Sequence, residues 1–472
     1  MLALRYLRET GQVVPEVQMK AQEYVQLGYQ KLVTFESPTG GFNWWGNSEP
    51  GNKLLTGFGI QQLEDMAGVC EVDRAIVDRA RRWLAESQRA DGSWEPTEHL
   101  HGYNRELGAG ALRATAYVLW SLLQAGDSGP HIQRAVDYLA AHQAEAEKDP
   151  YSLALVANAL VLADKGSPLS RAVLRKLHAA RTEQQKDGKT SVFWQCPGRT
   201  AMYARGQSAS VETTALAVLA LMASGEFGQS VNQALSWLVA AKGPQGDWGS
   251  TQATILTFKA LLQAASGGVG EDADMSVAVR LDGKEVAREV FNPDNSDVMR
   301  LIDLGVVASG KHRVEIAPAG KANVMYQIVG RCSVPWRRPE PSAEPLAIEL
   351  RYDRSRLAVD DVLSADVEVV YRPAKPTFMV IVELGIPPGF ELIPDLIEGL
   401  VESGTIKRYT AAGQMLTLYV GEMSQERKLA FRYQMRAKYP VKVQSPRSLA
   451  YEYYTPDSRA VQMPQPLEVV AR

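Results

Sequence analysis

The chain has 472 residues, with 51 Lys plus Arg set against 54 Asp plus Glu and a net charge of −3. At about 150 residues per domain, that length predicts roughly three domains. A hydrophobic fraction of 45% and a charged fraction of 22% exclude a disordered or collagen-like chain, and the balanced charge gives no support for binding nucleic acid or a membrane surface.

The first predicted element is a short apolar helix, Leu2–Glu9. It lacks the basic region and long apolar core of a signal peptide. Because the chain opens on what looks like mid-helix sequence, it is expected to begin inside a longer protein. From there to about Gly267, two kinds of helix alternate. The first kind is amphipathic with a charged outer face: Glu16–Val33, Arg74–Gln88, Ile132–His142, Leu169–Arg181 and Ser230–Ala241. The second kind follows each of these and is apolar nearly all round: Leu54–Met66, Leu112–Gln124, Ser152–Ala163, Thr213–Ala223 and Thr251–Ala264. Such helices are buried on both sides. Alternating outer and inner helices form two nested layers, closed as an α/α toroid or open as a solenoid. The near-apolar run Leu153–Ala163, broken by Asn158, falls far short of the roughly 20 residues a membrane helix needs, so no membrane span is expected.

Four turns repeat a glycine and an aromatic: GGFNWW at 40–45, DGSW at 91–94, DGKTSVFW at 187–194 and GDWG at 246–249. Glycine permits the turn, and the aromatic is expected to cover the end of the helical layer rather than line a ligand site.

Beyond Gly267 the composition turns to Val-rich alternation, Pro and turn pairs. Residues 274–336 alternate like strands around DGKE at 282–285 and NPDNSD at 292–297. RRPEPSAEP at 337–345 reads as a linker. From Leu346 to Arg472 short strands recur (LAIELRY, ADVEVVY, FMVIVEL, LTLYV, LAFRYQM), interrupted by one helix at Pro394–Glu402, which predicts an immunoglobulin-like β-sandwich. The expected division is 1–268 for the toroid, 269–338 for a partial β region and 339–472 for the sandwich. Helices followed by strands argue for separate domains.

No phosphate loop, HExxH, GxSxG or calcium loop occurs. Cys70, Cys196 and Cys332 are too few and too scattered for a disulfide framework or a zinc cluster, so no metal or cofactor is expected. His99 and His101, beside Glu98 in the loop after DGSW, form an incomplete metal site. They could instead serve as a general base or nucleophilic imidazole, or simply occupy a solvated loop. QRADGSW at 88–94 resembles the Gln-Trp repeat of terpene cyclases, but the acidic cluster those enzymes need is missing: Asp272-Ala273-Asp274 gains no further acid, and Asp360-Asp361 lies in the β region.

Read across its whole length, the chain resembles the alpha-2-macroglobulin family. YLRETGQVVPEVQMKAQEYVQLGYQKLVTFESPTGGFNWWG at 6–46, LLTGF at 54–58, VDRAIVDRARRWLAESQRADGSW at 72–94 and TAYVLWSLLQA at 115–125 are similar to the thioester domain of macroglobulins and complement components. FMVIVELGIPPGFEL at 378–392, IKRYT, LTLYVGEM and SLAYEYYTPDSRA at 448–460 resemble the macroglobulin receptor-binding domain, and the segment between looks like the second half of a CUB-like domain. The low cysteine count points to a bacterial member.

The resemblance implies a protease trap, not an enzyme. Its partners would be target proteases and N-terminal macroglobulin domains absent from this chain. By family analogy it would sit in the periplasm, at the cell envelope or outside the cell. The family's CxEQ thioester motif does not occur: Cys70 stands in CEVD and Cys196 in QCPG. The resemblance implies that His101, or alternatively His99, is the imidazole that attacks the thioester. The last-domain helix, IPDLIEGLVESG, has no lysine, so receptor binding is not carried over. The alternatives are a non-covalent binding macroglobulin without a thioester, or a toroid enzyme such as a terpene cyclase.

Overall fold

The computed structural model describes residues 1–9, 15–46, 50–96, 110–186, 189–243, 246–266, 274–292, 295, 300–321, 326–330, 332, 344–453 and 455–471. The chain forms two compact units, Met1–Val329 and Gly330–Arg472.

The first unit is dominated by helices in two nested layers, as the sequence predicts. The inner layer holds α1 (Leu2–Glu9), α3 (Lys53–Ala67), α5 (Ala111–Gln124), α8 (Pro150–Asp164), α10 (Gly206–Ser224) and α12 (Thr251–Ser266). The outer layer holds α2 (Pro15–Val33), α4 (Arg74–Glu86), α6 (Pro130–Ala141), α9 (Pro168–Ala179) and α11 (Gly228–Ala240), with a single turn, α7 (Gln143–Ala146), after α6. The residue patterns explain the layering. In α8 every residue from Tyr151 to Val161 is buried. In α4 only Ile76, Val77, Ala80 and Leu84 are buried, the three-to-four spacing of a single apolar stripe. Each large apolar side chain so removed from water contributes about 1.5–3 kcal/mol. Asn52, Asp73, Asp149 and Ser167 start α3, α4, α8 and α9 by accepting a backbone N–H of the first turn.

Successive inner helices pack on one another from α3 to α12, and α1 packs on α12. The ring is drawn shut by Lys259 Nζ of α12, 2.6 Å from Asp65 Oδ2 of α3. Two features depart from expectation. α10 begins at Gly206, about two turns before the predicted Thr213. The turn predicted before Trp194 is a hairpin, β1 (Thr182–Lys186) against β2 (Lys189–Phe193).

Three antiparallel strands come next, in the order β4-β3-β5: β3 (Asp274–Leu281), β4 (Lys284–Phe291) and β5 (Val314–Lys321). Asp282 and Gly283 both have positive φ, the two-residue turn whose twist matches a hairpin.

The second unit is a β-sandwich. One sheet runs β10-β13-β8-β6, from Phe390–Ile393, Leu429–Ala437, Val362–Tyr371 and Leu346–Tyr352. The other runs β11-β12-β9-β15-β16, from Arg408–Ala412, Met415–Met423, Thr377–Gly385, Ser448–Glu452 and Thr455–Gln462. β14 (Val441–Gln444), β17 (Pro466–Val470) and β7 (Arg356–Ala358) form a small third sheet, its β17–β7 pair parallel. Alternation sets the core: Leu363, Ala365, Val367 and Val369 from β8 share one cluster with Leu416, Leu418 and Val420 from β12. The short helix, α13, spans Asp395–Glu402. Among the described residues no helix is long and apolar enough to cross a membrane.

Candidate functional site

Each outer helix of the ring ends at the pole where the next inner helix begins, so the aromatic turns gather at one end. Three of them share a joint. The Trp94 backbone N–H donates to Thr115 Oγ1 at 2.9 Å while its indole Nε1 donates to Leu84 O at 2.7 Å. Trp194 donates to Thr214 Oγ1 at 3.0 Å and to Leu177 O at 2.6 Å. Trp248 donates to Thr254 Oγ1 at 3.1 Å and to Leu238 O at 2.6 Å. Phe42 keeps half of the joint, its N–H donating to Thr56 Oγ1 at 2.8 Å. The three carbonyls lie in the last turns of α4, α9 and α11, which a helix leaves short of donors. All three indoles are buried. They pack and cap, as the sequence suggests. In DGSW, Asp91 Oδ1 accepts the Ser93 N–H at 3.0 Å and the Ser93 hydroxyl at 2.7 Å. Gly92 has φ +85°, and a Cβ there would lie 2.2 Å from Arg134 O, so only glycine fits.

The same pole holds a buried polar cluster. Tyr151 Oη of α8 donates to Glu212 Oε1 of α10 at 2.9 Å and accepts the Ala201 N–H at 3.1 Å. Arg113 of α5 donates to Ser152 Oγ at 2.8 Å and to Arg199 O at 2.8 Å, and pairs with Asp149 at 3.1 Å. Its guanidinium sits 5.2 Å from the centre of the Tyr151 ring. Gln252 Nε2 of α12 donates to Tyr117 Oη at 3.2 Å. The segment 195–205 lies against this cluster. The Cys196 N–H donates to Ser210 Oγ at 3.2 Å, and the Tyr203 N–H donates to Thr200 O at 3.0 Å in a turn that gives Tyr203 a φ of +69°. The rings of Tyr203 and Trp44 stand 6.2 Å apart.

Burial raises the Glu212 carboxyl to about 7, against the pull of the Tyr151 and Thr200 hydroxyls and of Arg113. Burial also lifts the Tyr117 and Tyr151 phenols and the Cys196 thiol above their ordinary values. Cys196 is therefore a closed thiol and not a ready nucleophile. Among the described residues no three His, Cys, Asp or Glu converge to hold a metal.

His99 and His101 lie outside the described residues. Among the acids of the inner helices, Glu64 pairs with Arg74 at 2.8 Å and Asp65 with Lys259. Glu212 lies inside α10, ahead of the Thr213 start the sequence predicts. Sequence reasoning passed over Arg113 and Tyr151. The available signal was a charged or aromatic polar residue near the start of an otherwise apolar inner helix.

Residues 1–263 match the A-macroglobulin TED domain, and residues 375–465 match the A-macroglobulin receptor binding domain. The chain belongs to the A-macroglobulin family. Ovostatin of Gallus gallus is 24% identical over 478 residues, covering 97% of this chain and 32% of ovostatin. Thioester-containing protein 1 allele R1 of Anopheles gambiae is 22% identical over 477 residues, covering 98% of this chain and 33% of that protein. This macroglobulin chain thus spans about a third of the length of these relatives. Native alpha-2-macroglobulin from Escherichia coli, solved from domain MG7 to the C-terminus, superposes with a TM-score of 0.64 at 14% identity, covering 98% of this chain and 70% of that one. Salmonella alpha-2-macroglobulin reacted with methylamine gives 0.67 at 16% identity, with 98% and 28% covered. These likenesses establish the macroglobulin fold from ring to sandwich.

Proposed function

We propose that this chain is the C-terminal portion of a macroglobulin-type protease trap. The observation that carries the reading is the order of its parts: a TED match and then a receptor-binding match, on a chain a third as long as its curated relatives. In this reading the domains are the TED ring at 1–268, the second half of a CUB-like domain at 269–338 and the receptor-binding-type sandwich at 339–472. The partners are proteases and the N-terminal macroglobulin domains. Capture is stoichiometric and without turnover, and the protein works in the bacterial periplasm, at the cell envelope or outside the cell.

Covalent capture would run through a thioester between a Cys thiol and a Gln carbonyl. A nucleophile on the protease attacks the acyl carbon, the new amide or ester forms, and the thiolate leaves. Relief of burial makes the step possible at the right moment. The Salmonella relative was solved after reaction with methylamine, an amine nucleophile, which supports the reading. His101, or alternatively His99, would attack first and give an acyl-imidazole. Their place in the sequence, just after the DGSW turn, supports this role. These 472 residues contain no Cys-x-Glu-Gln, so covalent capture needs an acyl donor from outside them. The same fact favours a second reading, capture without a covalent bond.

The test is to express the gene with its upstream region and challenge it with a protease. Retention of the protease supports the trap, and its free release overturns it. A protease-sized covalent adduct on a denaturing gel selects the covalent reading. His101→Ala should slow adduct formation and shift preference from hydroxyl to amine targets. An unchanged rate and preference in both His101→Ala and His99→Ala removes the histidine role.

A further inference from the structure

The polar pole contains a chain of bonds that none of the capture chemistry uses. One phenol is shared between a loop and a helix: the Ala201 N–H donates to Tyr151 Oη, which donates to Glu212 Oε1. Arg113 grips the same loop by donating to Arg199 O. Glu212 is 1% exposed, the one carboxylate of the ring buried so deeply among the described residues, and its Oε2 accepts no hydrogen bond of good geometry.

The groups facing this carboxyl come from four elements. α5 supplies Arg113 and Tyr117, α8 supplies Tyr151, and the loop supplies Thr200. α12 supplies the uncharged Gln252, bound to Tyr117. The one cation, Arg113, is already engaged by Asp149. Among the described residues no charged group of α9, α11 or α12 bears on the Glu212 proton.

We infer that the Glu212–Tyr151–Ala201 chain is a proton-sensitive latch, which holds segment 195–205 on the inner helices and releases it as the carboxyl gives up its proton to solvent. A neutral acid can rest in this pocket beside the Tyr151 and Thr200 hydroxyls. A carboxylate there is poorly solvated, and the nearest relief is water. Water reaches Oε2 when the loop that carries Thr200 and Ala201 lifts. The device belongs to the ring itself and stands apart from the capture reaction.

Cys196 reports on it. Its side chain is 6% exposed, inside the lifting segment, with Sγ 3.6 Å from Gly198 O. Burial holds Glu212 near 7 in the closed state, and lifting returns it to its ordinary value of 4.5. Linkage between those two values makes the lifted state about tenfold more populated at pH 8.5 than at pH 6.

The experiment is iodoacetamide labelling of Cys196 across that range, in the chain carrying Cys70→Ser and Cys332→Ser. Each rate is divided by that of the urea-unfolded chain at the same pH, which removes the thiolate fraction. The normalised rate should rise about tenfold in that background and stay flat when Glu212→Gln is added. Tyr151→Phe should raise it already at pH 6. A flat profile with Glu212 present, or an equal rise in Glu212→Gln, overturns the latch. Should Glu212→Gln fail to fold, the infrared carbonyl band of the buried acid serves instead. Its loss with a midpoint near pH 7 supports the latch, and a midpoint at ordinary carboxylate pH overturns it.

Discussion

The ring and the sandwich both bury an apolar core, but they treat polar groups differently. In the sandwich the period of two sends Leu363, Val367 and Val369 inward, and the buried polar groups are few, chiefly Glu452 with the Thr377 and Tyr371 hydroxyls. In the ring the inner helices have no solvent face, so their polar residues must be satisfied inside. Some, such as Gln61 with Ser121, pair along the helices, and others gather at one pole, where Thr115, Thr214 and Thr254 receive the tryptophan N–H groups and Tyr151 meets Glu212. A layer buried on both sides therefore holds more of its polar groups out of water than a half-exposed sheet does.

The sharpest way to break this contrast is Trp194→Ala. It empties a fully buried indole site and frees the Leu177 carbonyl, and the helical transition in denaturant unfolding should lose about 4 kcal/mol while the sandwich transition stays put. If Trp194→Phe recovers the whole loss, the indole bond to Leu177 contributes nothing beyond packing. Second in size is the pH dependence. The folded value of Glu212 lies above its unfolded value, so its contribution is complete below about pH 4.5 and is lost as pH rises through about 7. Helical stability should fall by roughly 2–3 kcal/mol between pH 5 and pH 8 from this group, and Glu212→Gln should flatten the slope. The smallest effect compares two threonines. Thr115→Val leaves the buried Trp94 N–H without an acceptor and should cost about 1–2 kcal/mol. Thr417→Val, on the half-buried outer face of β12, should stay within about 0.5 kcal/mol.

The ring was legible because burial on two sides writes itself as unbroken apolar helices such as α8, and because DGSW and GDWG mark the turns. The start of α10 was not. Gln207, Ser208, Ser210 and Glu212 read as loop, yet they are helical because their partners, among them the Trp248 carbonyl that accepts from Ser208 Oγ at 3.2 Å, come from distant turns. The β1–β2 hairpin was missed because TEQQK carries no apolar alternation. Its one large aromatic, Phe193, stacks on Trp237 with ring centres 4.9 Å apart, a contact no local pattern announces. Nothing local marks Glu212. What distinguishes it is the company of Tyr151 and Arg113, 61 positions from one and on another helix from the other.

The tryptophan joint also decouples scaffold from sequence length. The same pair of hydrogen bonds closes over 21 positions from Trp94 to Thr115, 20 from Trp194 to Thr214 and only 6 from Trp248 to Thr254. Adding a residue to an outer helix would rotate the chain beyond it by about 100° and raise it by about 1.5 Å, and three fixed clasps forbid that. Adding a residue between clasp and hydroxyl changes nothing beneath it. Evolution can thus lengthen, shorten or rewrite the loops above the pole while the barrel of helices below keeps its dimensions.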